Sequence, residues 1–291
     1  MVSDAPTLQR VLSDSALLAG RSVSEWQLRP SAERALWISV ATEEKFEAWA
    51  VARRLVDKTG RWPVITNEYS GIRAAAPGRE GCSDAARLAA GRAALNEIRE
   101  MVALQWGPVV VEERLTFELN RMRVGDGVAP TRDEVLTALP EAVSLERLDR
   151  WLMDWEERQH PTAGREDDGR LEWHEVLANG PLELHFVPSA TSGRSLAYMP
   201  FWAEEGVPGA TPERLAAIAD AWNVRYGAEL VGHWGTILWF TVNAPPQTLE
   251  QAWTLATEQG LIAPDTLNST PIRQLARALI GREQWMLHCR P

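Results

Sequence analysis

The spacing of hydrophobic and polar positions is most regular between Thr211 and Cys289, where it predicts a succession of helices and strands. Leu215, Ile218 and Trp222 recur at helical spacing after Thr211, a favourable N-cap residue. The predicted elements are helix Thr211–Tyr226, strand Ala228–His233, strand Thr236–Val242, helix Thr248–Gln259, helix Thr270–Ile280 and strand Gln284–Cys289.

One more strand is predicted upstream, from Leu182 to Val187. Leu184 and Phe186 alternate there with Glu183 and His185, as in a strand with one buried face. With it, the order becomes strand, helix, strand, strand, helix pair, strand, which is the split βαβ or ferredoxin-like arrangement. The chain is therefore predicted to be an α+β protein whose C-terminal sheet carries helices on one face and leaves the other face open.

The N-terminal half shows a different pattern. The apolar run Leu36–Val40, a helical stretch and the run Trp62–Thr66 predict a βαβ crossover, and a helical insert follows. A Gly- and Asp-rich stretch from His160 to Asn179 is typical of a boundary or a long surface loop. The predicted organisation is an N-terminal extension over residues 1–34, a crossover plus helical region over 35–165, and a C-terminal α+β domain over 180–291.

Charge and cysteine content narrow the classes of function. The net charge of −10 argues against sequence-independent binding of nucleic acid and against docking on anionic lipid. Cys82 and Cys289 are the only cysteines and form no CxxC motif, which favours a reducing cytoplasm. The first residues lack the pattern of a secretory signal, and no apolar run is long enough to span a bilayer, so we expect a soluble cytoplasmic protein.

A resemblance to a known family rests on residues in the last third of the chain. The residues that carry it are Trp222, Arg225-Tyr226-Gly227-Ala228-Glu229-Leu230, Pro245-Pro246, Ala252, Ala256, Glu258, Pro264-Asp265, Leu275-Ala276, Leu279 and Trp285. They resemble the pattern of the bacterial domain-of-unknown-function 4253 family. Weaker similarities lie at Thr59–Val64 and Trp151–Pro161.

The chain departs from that family pattern at two places. Members usually carry a cysteine where this chain has Ala263, and they end in an aromatic and acidic run where this chain has Met286-Leu287-His288-Cys289. The resemblance implies a shared fold and no established activity.

Three histidines lie on predicted strands: His185, His233 and His288. In the split βαβ order the strands of His185 and His288 are neighbours, and both side chains point to the open face beside Glu183. One interpretation is a metal or acid–base site, and the alternative is a set of polar residues on a solvated sheet face.

Other candidates for chemistry are weaker. Asp265 follows Pro264 and is either a general base or a turn residue. The acidic group between Glu166 and Glu175 lacks the spacing of a calcium loop and is typical of a solvated turn. Gly78 and Gly81 are too sparse for a phosphate-binding loop. No cofactor and no metal are predicted.

The fourteen tryptophans are the unusual feature of the composition. Trp202, Trp234 and Trp239 are the candidates for exposed partner-binding anchors, since tryptophan often dominates binding energy at interfaces. The first hypothesis is a non-enzymatic protein-interaction module that binds another protein, with an immunity or antitoxin-like role as one version. The alternative is a small metal-dependent hydrolase that uses His185, His288 and Glu183. A third class is small-ligand binding in a Trp-lined cleft.

Overall fold

The chain folds around one seven-stranded mixed sheet with helices packed against it. The structure, a computed structural model, describes residues 1–28, 33–67, 72–73, 82–106, 109–110, 115–120, 122, 129–139, 142–143, 145–159, 181–267 and 271–290. The α+β class predicted from the sequence is confirmed. None of the helices in the described ranges has the length and apolar character needed to cross a membrane.

The strands and helices are numbered here in chain order. The strands are β1 (Ser24–Gln27), β2 (Arg34–Val40), β3 (Trp62–Asn67), β4 (Val109–Val110), β5 (Ala142–Val143), β6 (Leu182–Val187), β7 (Ala228–His233), β8 (Ile237–Val242) and β9 (Gln284–His288). The helices are α1 (Ala5–Leu12), α2 (Lys45–Arg54), α3 (Val56–Thr59), α4 (Asp84–Trp106), α5 (115–120), α6 (Arg132–Ala138), α7 (Leu145–Gln159), α8 (Ser192–Ser195), α9 (Ala203–Gly206), α10 (Pro212–Tyr226), α11 (Leu249–Ile262) and α12 (Ile272–Leu279).

The strand order of the main sheet is β1-β2-β6-β3-β7-β8-β9, while β4 and β5 form a separate pair. Strand β6 pairs antiparallel with both β2 and β3, so those two strands run parallel to each other, as the predicted crossover requires. The predicted ferredoxin-like order is wrong, because β3 lies between β6 and β7, and β9 pairs with β8 at the sheet edge. The sheet therefore takes strands from both halves of the chain.

Helices cover both faces of the sheet, whereas the sequence predicted helices on one face only. Phe240 and Trp239 are neighbours in β8 and point to opposite faces. The ring of Phe240 contacts Trp222 of α10 at 6.0 Å between centroids, and the ring of Trp239 contacts Phe46 of α2 at 4.5 Å. Helices α10 and α2 thus lie on opposite sides, and the open face predicted from the sequence is partly occupied.

Local capping explains why the C-terminal elements were predictable. The Thr211 side chain accepts a hydrogen bond from Arg214 N–H at the start of α10, and Gly227 ends that helix with a positive φ of 60°. Thr248 likewise accepts from Gln251 N–H at the start of α11. Helix α12 has Pro271 as its N-cap, and the predicted cap Thr270 lies outside the described residues.

The contact between β3 and β7 joins the two halves of the sheet. Ile65 opposite Gly232 is its one registered pair, and β7 carries an irregularity between Leu230 and Gly232. Side chains bond the backbone there: Trp62 Nε1 donates to Leu230 O at 2.8 Å, and Leu230 N–H donates to Ser192 Oγ at 2.6 Å. These two bonds take the place of ladder hydrogen bonds at the joint.

Arg61 ties the start of the chain to the sheet from a buried position. Its Nε donates to Val2 O at 2.6 Å, and its NH1 donates to Arg34 O and Phe186 O, both at 2.8 Å. Burial lowers the pKa of Arg61 to about 10, because the charged form loses solvation. The segment predicted as an N-terminal extension is thus bonded to the core, and the predicted domain boundaries themselves stay a prediction.

A second, smaller core lies in the helical region and is formed by α5, α6 and α7. Its buried side chains are Leu115, Leu119, Met122, Val135, Leu139, Leu148, Leu152 and Trp155. Arg273 of α12 connects this region to the C-terminal part, since its fully buried guanidinium pairs with Asp149 and Glu156 of α7 and with Glu118 of α5. An ionic cluster therefore links two units of secondary structure that are distant in sequence.

We expect Trp62→Phe to lower the free energy of unfolding by about 2 kcal/mol, because Leu230 O loses its donor in a buried place. Urea denaturation monitored by circular dichroism measures this change. Trp26→Phe, which alters an exposed indole, is the matched control and should change stability by less than about 0.5 kcal/mol. Equal losses in the two variants would show that the Trp62 hydrogen bond does not stabilise the joint.

Candidate functional site

The candidate site lies at the β1 edge of the sheet and is built from Trp26, Trp37, Glu183 and His185, named here the edge patch. Strand β1 pairs with β2 on one side, with Ser24 opposite Trp37 and Trp26 opposite Ala35. All four residues of β1 are exposed, and the side chain of Trp26 is 46% exposed. A large apolar ring is thus presented to solvent on an edge strand.

The rings of the edge patch form a continuous row across three strands. Trp26 and Trp37 lie 5.2 Å apart between centroids at an angle of 59°, and Trp37 stacks on His185 at 5.6 Å and 11°. The last contact follows from the register, which places Trp37 directly opposite His185 on β6. Stacking on a buried imidazole fixes the orientation of Trp37, and Trp37 in turn supports Trp26.

Glu183 and His185 point to the same face of β6, since they are two residues apart. Their Oε2 and Nε2 atoms are 2.6 Å apart. His185 is 2% exposed, whereas Glu183 is partly exposed. A carboxylate accepts hydrogen bonds, so Nε2 is the donor in this contact, and Nδ1 has no hydrogen-bond partner among the described residues. Glu183 therefore orients the ring on which Trp37 stacks.

His233 lies on the same face of the sheet as His185 but is completely buried. The pairing of Ile65 with Gly232 and of Val64 with His185 places His233 and His185 on one side. Gly235 N–H donates to its Nδ1 at 3.2 Å. Burial, together with the nearby positive charge of Arg73, lowers the pKa of His233 to about 3. His233 is thus a neutral core residue at physiological pH.

His288 does not meet His185, so the predicted convergence of these two histidines is wrong. Three strands, β3, β7 and β8, separate β6 from β9. His233 is opposite Leu238, and Leu238 is opposite Leu287, so the next residue, His288, points to the other face. No group of three or more His, Cys, Asp or Glu side chains within the described ranges is arranged to hold a metal ion.

The three tryptophans predicted as partner contacts lie elsewhere and are less exposed than Trp26. Trp239 is 6% exposed, and Trp202 and Trp234 are partly buried. Trp234 lies against Gly232, where an added Cβ atom would come within 2.5 Å of the indole and force a shift in its position. Their role as anchors stays a prediction. Trp26 was not among the predicted anchors, because its neighbours in β1 are polar and the strand shows no alternation of buried and exposed residues.

The remaining candidates occupy ordinary structural positions. Asp265 lies in a turn, and its Oδ2 accepts from the backbone N–H of Arg290, 25 residues further along the chain, at 2.7 Å. Cys289 is buried, and this burial raises the pKa of its thiol to about 11, while Cys82 is exposed. The acidic group Glu166, Asp167, Asp168, Glu172 and Glu175 and the glycines Gly78 and Gly81 lie outside the described residues.

Comparison with known proteins supports the predicted family. Residues 183–288 match the family model described as Domain of unknown function (DUF4253). The match covers the C-terminal part of the chain. It begins at Glu183 of the edge patch and ends at His288 of β9, and strand β3, which lies outside the matched range, is placed between β6 and β7. Comparison with curated proteins and with solved structures gives no match.

We expect the free energy of unfolding to decrease as the pH is lowered, because of His233. Its pKa of about 3 in the folded protein lies below the ordinary value of 6.5, so the unfolded chain binds more protons between these values. The free energy of unfolding should therefore be fully retained above pH 6.5 and decline as the pH falls toward 3, by up to about 1.4 kcal/mol per pH unit.

Urea unfolding of the protein and of His233→Gln at several pH values measures this contribution as the difference in slope. His288→Gln is the control, because His288 is only partly buried and should change the slope less. An unchanged slope in His233→Gln would contradict the assignment of the acid sensitivity to His233.

Proposed function

We propose that this protein is a non-enzymatic protein-interaction module that binds an extended, positively charged segment of another protein along β1 and the edge patch. The observation that carries the proposal is the exposed ring of Trp26 on a strand whose four residues are all exposed. Tryptophan supplies a large contact area at low cost in side-chain entropy, which makes it a frequent anchor of interfaces.

The backbone of β1 favours an extended partner. Leu28 N–H donates to Glu33 O at 2.9 Å, which makes these two residues a hydrogen-bonded pair. Because hydrogen-bonded and non-hydrogen-bonded pairs alternate along an antiparallel ladder, the backbone groups of Trp26 point to β2 and those of Glu25 point outward. A partner strand that adds to such an edge gains main-chain hydrogen bonds, and its side chains provide specificity.

Charge favours a basic partner. The protein carries a net charge of −10, which attracts cations over a distance. Glu183 supplies a partly exposed carboxylate, and the faces of Trp26 and Trp37 can receive a guanidinium or an ammonium group. An immunity or antitoxin-like role, in which the bound segment belongs to a basic toxin, is one form of this proposal.

The hydrolase hypothesis is not carried forward. It requires His185 and His288 to act on one substrate, and these side chains lie on opposite faces of the sheet with three strands between them.

The proposal predicts that a short synthetic peptide of alternating arginine and valine binds the protein, measured by isothermal titration calorimetry. Trp26→Ala should weaken this binding at least about tenfold, because the anchoring ring is lost. Leu104→Ala removes another exposed apolar side chain, distant in sequence, and should leave the affinity unchanged.

Two further peptides separate the proposed mode from unspecific attraction. Methylation of alternate backbone nitrogens removes the hydrogen-bond donors that β1 needs, so the methylated peptide should bind more weakly. A peptide of alternating glutamate and valine should not bind. Equal affinity for all three peptides, or unchanged binding by Trp26→Ala, would refute the proposal.

A further inference from the structure

A cleft of about 280 Å³ lies between α4 and α11 and is bordered by the first turn of α7. It is far from β1 in sequence and shares no residue with the edge patch. Helix α4 comes from the N-terminal half and α11 from the range that matches the family model, so the cleft lies where the two halves of the chain meet.

Two arginines give the α4 wall its charge. Arg92 and Arg99 both line the cleft, and their spacing of seven residues corresponds to about two helical turns, which places them on one side of α4. Both are exposed. Within the described part of the chain, neither guanidinium has an ion-pair partner, so both remain available to a ligand.

The α11 wall does not cancel this charge. Glu258 lines the cleft, but its carboxylate accepts from Trp222 Nε1 at 2.6 Å and pairs with Arg225. Glu146 is the second carboxylate of the lining. Arg225 neutralises Glu258. The two positive charges of Arg92 and Arg99 therefore exceed the single negative charge of Glu146. A locally positive cleft in a protein of net charge −10 favours a negatively charged ligand.

The floor of the cleft is apolar. Leu95 and Trp253 both line it, and Arg150 packs over the Trp253 ring at 5.5 Å from the centroid, which holds the indole in place. The side chains of Asn96 and Thr254 add hydrogen-bonding groups to the rim. The volume lies near the lower limit for ligand pockets, so a small ligand with about one ring fits.

Close packing fixes α4 in position beside the cleft. A Cβ atom on Gly91 would come within 2.4 Å of Ala221 Cβ, so glycine lets α4 approach α10 directly before Arg92. Arg87 NH2 donates to Asn223 Oδ1 at 3.0 Å, and Arg214 of α10 pairs with Glu97 of α4. The backbone that carries the two arginines is thus held in place before any ligand arrives.

We propose that this cleft binds a small organic anion, with its carboxylate or phosphate group between Arg92 and Arg99 and its apolar ring against Leu95 and Trp253. Guanidinium groups bind both kinds of anion through paired N–H donors, and the ring replaces water at the apolar floor. The site is independent of protein binding at β1.

Calorimetric titration with phenylacetate and with phenyl phosphate tests the proposal and distinguishes the two head groups. One of these should bind saturably at one site per chain, and 2-phenylethanol, which keeps the ring and lacks the charge, should bind at least about tenfold more weakly. The double variant Arg92→Gln, Arg99→Gln should weaken binding of the anion at least tenfold.

Arg54→Gln is the matched control, because Arg54 is another exposed arginine, located on α2. It should leave the affinity unchanged. Thr254→Phe fills the mouth of the cleft without changing its charge and should also weaken binding. Circular dichroism confirms that each variant is folded. Absence of saturable binding by both anions, or equal affinity in the double variant and in Arg54→Gln, would overturn the proposal.

Discussion

Strand β6 holds the sheet together, because it hydrogen-bonds β2 and β3 at the same time. Those two strands belong to one crossover and run parallel, yet they do not touch. Every residue of β6 except Glu183 is buried, so the strand loses solvent on both faces and on both edges. The N-terminal half and the C-terminal part of the chain therefore share one hydrogen-bonded sheet.

This interleaving determines where function can reside. The rings of Trp26 and Trp37 come from the N-terminal half, whereas His185 and Glu183, which support them, come from the range that matches the family model. The anion cleft has the same dual origin, with arginines on α4 and an apolar floor partly on α11. Both proposed sites thus depend on residues that one half alone does not contain.

The sequence predicted much of the local structure and little of the strand order. Thr211 and Gly227 mark the ends of α10 by their own chemistry, so that helix was predictable to within a residue. Alternation in Leu182–Val187 identified β6, but a hydrophobic pattern does not state which strands lie beside it. His185 was expected on the open face of the sheet, and it is buried, with the ring of Trp37 stacked on it.

The candidate site was the least predictable part for the same reason. Trp26 lies among the polar residues Ser24, Glu25 and Gln27, and its significance depends on the register with β2 and on the stack that follows. Arg92 and Arg99 appear as ordinary surface charges of a long helix until α11 provides the facing wall. The buried cluster around Arg273 likewise requires helices that are distant in sequence to meet.

The position of β6 also has a consequence for synthesis on the ribosome. Strands β2 and β3 leave the exit tunnel early, whereas β6 begins only at Leu182. At elongation rates of about 5–20 residues per second, this delay amounts to roughly ten seconds. During that time the facing edges of β2 and β3 have no native partner, and such unpaired edges can pair with strands of other chains and promote aggregation.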